Sequence, residues 1–316
     1  MTVRTCTKVN VGLNVLRKRP DGYHDLETLF VPYYGYSDTI TVEPSKYLTI
    51  DIDHPDYTLW DPFEDLTVKA WRLLKADFPQ LPAVSIHLVK QAPVGAGLGG
   101  GSADAAFMLR ALNEMFSLGL DTSALADYAA RLGSDCAFFV YAAAAAYTKT
   151  IPLRPQGTGE GLAAMFATGR GEILEPFDID LSAYELQVEV PLDSDGKPVA
   201  VSTREAYAGI VPRDLWTSPA VAKPEQHRSD RLWPLRTGDR SDAAPAKDGL
   251  ERPLPLREAL RLPAEQWRGL IVNDFEASVC PQHPEIPALI ADFYRRGAVY
   301  ASMSGSGSAV LGLFRK

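Results

Sequence analysis

Hydrophobic and polar residues alternate along several stretches of the chain, as they do in half-buried β-strands. In the first stretch, residues 3–16, Lys8 and Asn10 share the face opposite to Val9 and Val11. The same pattern predicts further strands at 26–34, 38–43, 47–52, 84–89 and 186–190. Polar strand faces often simply meet solvent, so Lys8 and Asn10 are either a solvated pair or a functional one.

Apolar residues spaced three and four apart, which is the period of an amphipathic helix, occur between these strands. Helices are predicted at 65–78, from the glycines near 100 to about 116, and at 123–131, 202–207, 256–260 and 284–295. Residues 298–314 are predicted to form a strand, a glycine turn and a second strand. No internal repeat is present.

The chain has 316 residues, which is enough for two domains of ordinary size. We predict an N-terminal domain over 1–175 and a C-terminal domain over 176–316. Two segments interrupt the periodic pattern. Residues 142–165 combine five alanines with a Pro/Gly-rich piece and are predicted to be an insertion. Residues 217–254 are rich in Pro, Arg, Asp and Ala, which predicts a surface excursion or mobile loop.

A glycine-rich stretch at 93–102 lies between the predicted strand 84–89 and the helix that follows. Five of the seven residues from 95 to 101 are glycines. Glycines let backbone N–H groups turn toward a ligand, and a helix N-terminus adds unpaired N–H groups, so this order favours phosphate binding. No Lys precedes Ser102, so the stretch is not a P-loop of the GxxxxGK[ST] type. A flexible turn is the alternative. Ser102 could cap the helix or contact a metal ion.

Isolated polar residues elsewhere allow both structural and functional roles. Asp135 lies between a Gly-Ser turn and an apolar run, so it is either a helix N-cap or a functional carboxylate. Tyr23 and His24 directly follow a Pro-Asp-Gly turn, where their side chains could either pack against the protein or bind a ligand. Gly305 lies in the C-terminal glycine turn, which provides a second point of close approach to a ligand.

Charge and composition narrow the function classes. The net charge is −8, and an acidic chain is a poor candidate for binding nucleic acid. The three cysteines are far apart and form no C-x-x-C pair, which argues against a zinc site or a disulfide framework. No apolar segment resembles a signal peptide or a membrane span. We therefore expect a soluble, cytoplasmic protein with no membrane partner.

Together these motifs resemble the GHMP kinase superfamily. They are the Lys/Asn strand, the glycine stretch, the isolated Asp and the Ser-Gly turn at 304–308. Asp-Gly-Tyr-His at 21–24, Leu-Gly-Ser-Asp at 132–135 and Asn-Asp-Phe-Glu at 273–276 resemble most its kinases of 4-diphosphocytidyl-2-C-methyl-D-erythritol. The resemblance implies an α+β fold, with an N-terminal ATP domain like ribosomal protein S5 and a ferredoxin-like C-terminal substrate domain.

The resemblance also implies residue roles. Asp135 and Lys8 would be catalytic, and ATP with Mg²⁺ would bind the glycine stretch, namely Pro93, Gly95, Ala96, Gly97, Leu98, Gly99, Gly100, Gly101 and Ser102, with Ser102 as a candidate metal ligand. The substrate-binding residues would be Asn10, Tyr23, His24, Thr203, Tyr207 and Gly305. Tyr23 and Tyr207 would form the two walls of a cytosine slot, with His24 contacting the base. The chain departs from the family at Asp65, where the adenine pocket often has Asn.

The implied reaction is phosphorylation of the 2-hydroxyl of 4-diphosphocytidyl-2-C-methyl-D-erythritol by ATP, in non-mevalonate isoprenoid biosynthesis. The partner is then this small molecule, without nucleic acid or membrane, and the protein is a monomer or homodimer. Two alternatives remain open. One is a GHMP kinase for homoserine, a mevalonate derivative or a sugar, which shares the catalytic pair but needs no cytosine slot. The other is a non-catalytic ligand sensor on the same fold.

Overall fold

The computed structural model describes residues 1–54, 61–147, 164–213 and 254–316. Within these ranges the chain forms eleven β-strands, arranged in three sheets, and eight α-helices. None of the helices in these ranges combines the length and apolar character that crossing a bilayer requires.

Two four-stranded sheets hold the N-terminal strands. The first has the order β1-β4-β6-β5, in which only β5 and β6 run parallel, and consists of β1 (Thr2–Arg4), β4 (Thr39–Pro44), β5 (Thr49–Asp53) and β6 (Val84–Val89). The second is antiparallel, in the order β2-β3-β7-β8, and consists of β2 (Thr7–Lys18), β3 (His24–Tyr33), β7 (Met165–Thr168) and β8 (Ile173–Pro176).

The predicted single strand over 3–16 is wrong in one respect. The strand is interrupted at Thr5 and Cys6, so β1 and β2 are separate strands that belong to different sheets. The backbone N–H of Thr5 still donates to the Asp38 carbonyl, in register with the pairing of β1 and β4, and from Thr7 onward the chain pairs with β3 instead. The solvated interpretation of the polar face is also wrong, because Lys8 and Asn10 are buried.

Four helices cover the first sheet and build the N-terminal core. They are α1 (Leu66–Asp77), α2 (Gly100–Met115), α3 (Thr122–Leu132) and α4 (Cys136–Tyr147). Ile40 and Leu88 of the sheet share this core with Leu74 of α1, Leu109 of α2 and Phe138 of α4. The predicted helices match α1, α2 and α3 to within a few residues.

The predicted insertion at 142–165 falls partly on regular structure. Its first residues continue α4 as far as Tyr147, and its last residue, Met165, begins β7. The part from 148 to 163 lies outside the described residues. Similarly, the segment predicted at 217–254 lies outside them except for its last residue.

The C-terminal part has a three-stranded antiparallel sheet, in the order β10-β11-β9, and four helices. The strands are β9 (Tyr184–Glu189), β10 (Tyr300–Met303) and β11 (Val310–Arg315). The helices are α5 (Thr203–Ala208), α6 (Leu256–Ala259), α7 (Glu276–Val279) and α8 (Glu285–Arg295). α8 packs on this sheet through Ile290 and Phe293, which share a core with Met303 and Val310.

Strand β2 joins the two parts of the molecule. Val9 and Val11 pack in one core with Leu311 and Leu313 of β11. The Leu13 N–H donates to the Val272 carbonyl, and the Leu13 carbonyl accepts from the Asp274 N–H, at 2.9 and 2.8 Å. The strand that carries Lys8 and Asn10 is therefore fixed from both sides. β8 ends at Pro176, where the domain boundary is predicted.

Candidate active site

A cleft of about 840 Å³ opens where β2, the glycine stretch, α5 and the turn after β10 meet. Every site residue predicted from the sequence lines it. On its wall are Lys8, Asn10, Tyr23, His24, Pro93, Gly95, Ala96, Gly97, Leu98, Gly99, Gly100, Gly101, Ser102, Asp135, Thr203, Tyr207 and Gly305. We call residues 95–101 the glycine loop and residues 304–308 the serine turn.

Lys8 is the most heavily bonded side chain in the cleft. Its Nζ donates to the Asn10 Oδ1 at 2.6 Å and to the Gly97 carbonyl at 2.8 Å, and lies 3.4 Å from the Asp135 Oδ2. Lys8 is only 3% exposed, whereas Asp135 is 30% exposed and can meet a ligand. Burial lowers the pKa of the Lys8 ammonium, and the Asp135 charge opposes that shift. The two side chains thus form an ion pair with one solvent-accessible member.

Asn10 orients this pair through residues that the sequence did not single out. Its Nδ2 donates to the Thr28 Oγ1 at 3.0 Å, and the Thr28 hydroxyl donates to the Gly12 carbonyl at 2.5 Å. This relay fixes the amide so that Oδ1 faces Lys8. The only signal for this relay in the sequence is Thr28, a threonine within the apolar run of β3.

The glycine loop presents the open N-terminus of α2 to the cleft. In a helix, the N–H groups of residues 100–102 would donate to the carbonyls of residues 96–98. Those carbonyls are occupied instead, because Ala96 accepts from the Ala309 N–H, Gly97 from the Lys8 Nζ and Leu98 from the Lys8 N–H. The first turn of α2 therefore keeps N–H groups without an acceptor among the described residues, an arrangement that suits the binding of an anion.

The helix itself begins at Gly100, so the last two glycines of the loop are helical. Gly99 is the N-cap, in the left-handed conformation with φ of 72°, and no side chain caps the helix. The suggestion that Ser102 caps α2 is therefore wrong. Its side chain lies in the first turn, on the cleft wall.

The serine turn closes the cleft from the C-terminal side. The Ser304 Oγ accepts from the Asn10 N–H at 3.1 Å, and the Asn273 Nδ2 donates to the carbonyls of Met303 and Gly305, both at 2.8 Å. A side chain on Gly305 would come within 2.8 Å of the Gly97 carbonyl. The predicted close approach at Gly305 therefore exists, and in this structure it is made to the glycine loop.

At the aromatic end of the cleft, Tyr207 has a stacking partner that the sequence did not predict. The rings of His24 and Tyr207 stack on each other, with centroids 4.7 Å apart, and Phe275 packs edge-on against Tyr207 at 4.7 Å. Burial and the nearby Lys18 lower the pKa of His24, so its ring is neutral near pH 7. No ring contact joins Tyr23 to Tyr207 in the described part of the chain. Thus the structure brings the three predicted rings to one end of the cleft, but pairs Tyr207 with His24.

Comparison with known proteins identifies the family of this chain. Residues 65–143 match the family model "GHMP kinases N terminal domain", and residues 248–316 match "GHMP kinases C terminal". A 4-diphosphocytidyl-2-C-methyl-D-erythritol kinase of Bacteroides thetaiotaomicron is 39% identical over 310 residues, which cover 97% of this chain and 89% of that protein. The chain belongs to this kinase family. Its relative in Porphyromonas gingivalis is 33% identical, over 100% of this chain and 93% of that one.

Solved structures agree with this assignment. A crystal structure of a 4-(cytidine 5'-diphospho)-2C-methyl-D-erythritol kinase matches with a TM-score of 0.64 and 28% identity, over 99% of this chain and 90% of that one. Homoserine kinase from Cytophaga hutchinsonii matches with a TM-score of 0.57 at 15% identity and shares the fold alone. The predicted α+β GHMP kinase fold is confirmed, and the protein is an ATP-dependent small-molecule kinase.

Glu64 and Asp65 line the end of the kinase's cleft beside α1, and a buried triad of charged side chains lies beneath that end. Lys90 lies between two fully buried carboxylates, 2.5 Å from the Asp38 Oδ2 and 2.6 Å from the Asp104 Oδ2. The Asp104 Oδ1 has no hydrogen-bond partner, and burial raises the pKa of Asp104 to about 8. Asp65, which stands where the family often has Asn, caps α1 by accepting from the Thr67 N–H at 2.8 Å. Sequence reasoning missed the triad because its members are far apart in the chain.

Proposed function

We propose that the kinase transfers the γ-phosphoryl group of ATP to the 2-hydroxyl of 4-diphosphocytidyl-2-C-methyl-D-erythritol. The observation that carries the proposal is the Lys8–Asp135 ion pair, which lies between an anion-binding loop and a cluster of aromatic rings. This order along one cleft matches a reaction in which a hydroxyl on a nucleotide-bearing substrate attacks a nucleoside triphosphate.

Asp135 acts as the general base in this proposal. It is the partly exposed member of the ion pair, so an alcohol can reach its carboxylate. A base placed to take the hydroxyl proton contributes about 10²–10⁴-fold to the rate. Lys8 holds Asp135 in position and stabilises negative charge that develops on the attacking oxygen. Asn10 and the Gly97 carbonyl fix the Lys8 ammonium, so little reorganisation is required during the reaction.

The free N–H groups at residues 100–102 hold the ATP phosphates, with help from the positive end of the α2 dipole. Mg²⁺, when bound with ATP, offsets charge on the β- and γ-phosphoryl oxygens. No group of three His, Cys, Asp or Glu side chains in the described ranges forms a metal site. Mg²⁺ in such enzymes takes most ligands from phosphates and water, so the cleft fits the ion, with the Ser102 hydroxyl as a protein ligand.

Tyr23, His24 and Tyr207 receive the cytosine. Because His24 stacks on Tyr207, the base displaces His24 from that ring and lies between Tyr207 and the more exposed Tyr23. Thr203, one helical turn before Tyr207, and Gly305 line the path from this end to Lys8. We expect the active protein to be a monomer or homodimer in the cytoplasm, without a nucleic-acid or membrane partner.

Substitution of the two tyrosines tests the cytosine assignment. Stacking of a base on an aromatic ring is worth about 1–3 kcal/mol, so Tyr23→Ala and Tyr207→Ala should each raise KM for the cytidine substrate about tenfold or more, with KM for ATP unchanged. Tyr47→Ala is the matched control, since Tyr47 is exposed and does not line the cleft. Cytidine monophosphate should compete with the alcohol substrate and not with ATP. If it inhibits neither, the cytidine assignment fails, whereas the kinase assignment stands.

A further inference from the structure

Two arginines that have no part in the mechanism above line the aromatic end of the cleft. Arg170 lies in the turn between β7 and β8, and Arg204 lies in α5, three residues before Tyr207. The guanidinium carbon of Arg170 is 4.9 Å from the centroid of the Tyr23 ring. Arg170 therefore contacts the ring cluster at Tyr23, and Arg204 lies about one helical turn from Tyr207 on α5.

Arg204 is an exposed cation without a counter-ion among the residues that the structure describes. It forms no hydrogen bond or ion pair with any residue of the described ranges. Its neighbour Glu205 is engaged elsewhere, since its Oε1 lies 2.9 Å from the His283 Nε2. An arginine left unpaired on the wall of a binding cleft is free to pair with an anionic ligand.

Arg170 is held in place but not saturated. Its Nε lies 3.3 Å from the Glu172 Oε1, and that is its one ion pair within the described ranges. Its terminal nitrogens carry four further N–H donors. The Tyr23 ring and the Glu172 carboxylate together restrict the guanidinium, which reduces the entropy lost when it binds an anion.

The charge distribution along the cleft separates its two ends. Three carboxylates line the cleft: Glu64 and Asp65 beside α1, and Asp135 at the ion pair. Of the lining cations in the described ranges, Lys8 and Lys90 are paired with carboxylates, whereas Arg170 contacts the Tyr23 ring and Arg204 shares α5 with Tyr207. An anionic group that links a base on the rings to a hydroxyl at Asp135 would have these two arginines as its available cations.

We propose that Arg170 and Arg204 bind the diphosphate of the substrate and thereby select a nucleoside diphosphate ester over alcohols without one. The inference rests on the proposed function and deepens it. Guanidinium groups pair with phosphate oxygens through two parallel hydrogen bonds, which makes arginine suitable for this task. The base is then held by the rings, the diphosphate by the arginines, and the hydroxyl reaches Asp135.

Calorimetry with cytidine diphosphate and cytidine as probes tests the pair. The kinase is first saturated with a non-hydrolysable ATP analogue, so that neither probe enters the ATP site. Wild type should bind cytidine diphosphate more tightly than cytidine. Arg204→Gln should weaken cytidine diphosphate about tenfold, as expected for one lost charge-assisted hydrogen bond in a partly solvated site, and should leave cytidine unchanged. Arg204→Lys, which keeps the charge, should restore part of the loss.

Arg170→Gln also frees the Tyr23 ring, so both probes weaken, and the ratio of their affinities is the readout. Arg295→Gln is the control, because Arg295 is an exposed arginine of α8 outside the cleft. In turnover, both cleft variants should raise KM for the cytidine substrate about tenfold and leave kcat and KM for ATP unchanged.

Two failures are distinguishable. If wild type binds both probes and neither cleft variant changes their affinity ratio, the arginines do not hold the diphosphate, while the proposed function stands. If wild type binds neither probe and phosphorylates a different alcohol, the proposed function and this inference are both wrong.

Discussion

Replacement of Gly97 by alanine tests whether the glycine loop and the serine turn form one catalytic unit. Gly97 has φ of 75°, and a Cβ there would overlap the Ser304 carbonyl oxygen and come within 3.0 Å of the backbone N and O of Gly307. Backbone atoms of a bonded turn cannot move aside as a flexible side chain does. The loop and the turn would therefore have to separate.

Gly196 provides a matched control, because its φ is also 75° and a Cβ there would meet nothing within 4 Å. Alanine in the left-handed region costs about 1–2 kcal/mol, which should be the whole cost at Gly196. At Gly97, overpacking adds about 1–3 kcal/mol, for a total of about 2–5 kcal/mol. At about 2 °C per kcal/mol for a chain of this size, Tm should fall by about 4–10 °C for Gly97→Ala and about 2–4 °C for Gly196→Ala.

The same substitution should reduce activity, because the Gly97 carbonyl accepts a hydrogen bond from the Lys8 Nζ at 2.8 Å. A shifted carbonyl no longer fixes the ammonium, so kcat/KM should fall about tenfold or more, while Gly196→Ala keeps wild-type kcat/KM. Thermal unfolding and steady-state kinetics measure both effects. Equal Tm losses in the two variants, together with wild-type kcat/KM for Gly97→Ala, would refute the reasoning.

Three further predictions follow from the charged groups. Asp135→Asn should lower kcat about 10²–10⁴-fold with ATP affinity retained by calorimetry, and a variant that keeps half of wild-type kcat would remove Asp135 as the base. Because burial lowers the pKa of Lys8, kcat/KM should fall on the alkaline side before the ordinary lysine pKa of 10.5 is reached, whereas a plateau that continues past that value would contradict the role of its charge. The folded state raises the pKa of Asp104 from 3.8 to about 8, so it binds a proton more tightly than the unfolded chain and stability falls as pH rises through that window. Asp104→Asn should flatten the loss of Tm between about pH 4 and pH 8, and a wild-type slope in that variant would show that Asp104 does not titrate there.

Local features of the sequence predicted most of the fold and the candidate residues. The alternation in β4, β5 and β6 and the periodicity of α1 and α3 survive in the structure because each of these elements buries one apolar face, whereas β3 and α2 are buried on nearly all sides. The glycine loop was recognisable because positive φ angles, such as those of Gly97 and Gly99, require a residue without Cβ.

What the sequence could not predict depends on pairs that only tertiary packing brings together. The triad around Lys90 joins residues 38, 90 and 104, and no periodic pattern connects them. The stack of His24 on Tyr207 joins a turn near the N-terminus to a helix of the C-terminal part. The break at Thr5 and Cys6 is invisible in the alternation, because both flanking segments remain strands and only their partners differ.

The choice of acceptor by the wild-type kinase is the sharpest test of the proposed substrate. The wild-type kinase is given ATP with 4-diphosphocytidyl-2-C-methyl-D-erythritol, homoserine or mevalonate as separate acceptors, ADP release is followed by a coupled assay, and the product is examined by phosphorus NMR. We expect rapid ADP release with the cytidine substrate alone, a new phosphomonoester on its 2-hydroxyl, and a matching loss of that signal with Asp135→Asn. Turnover of homoserine or mevalonate without turnover of the cytidine substrate would contradict it.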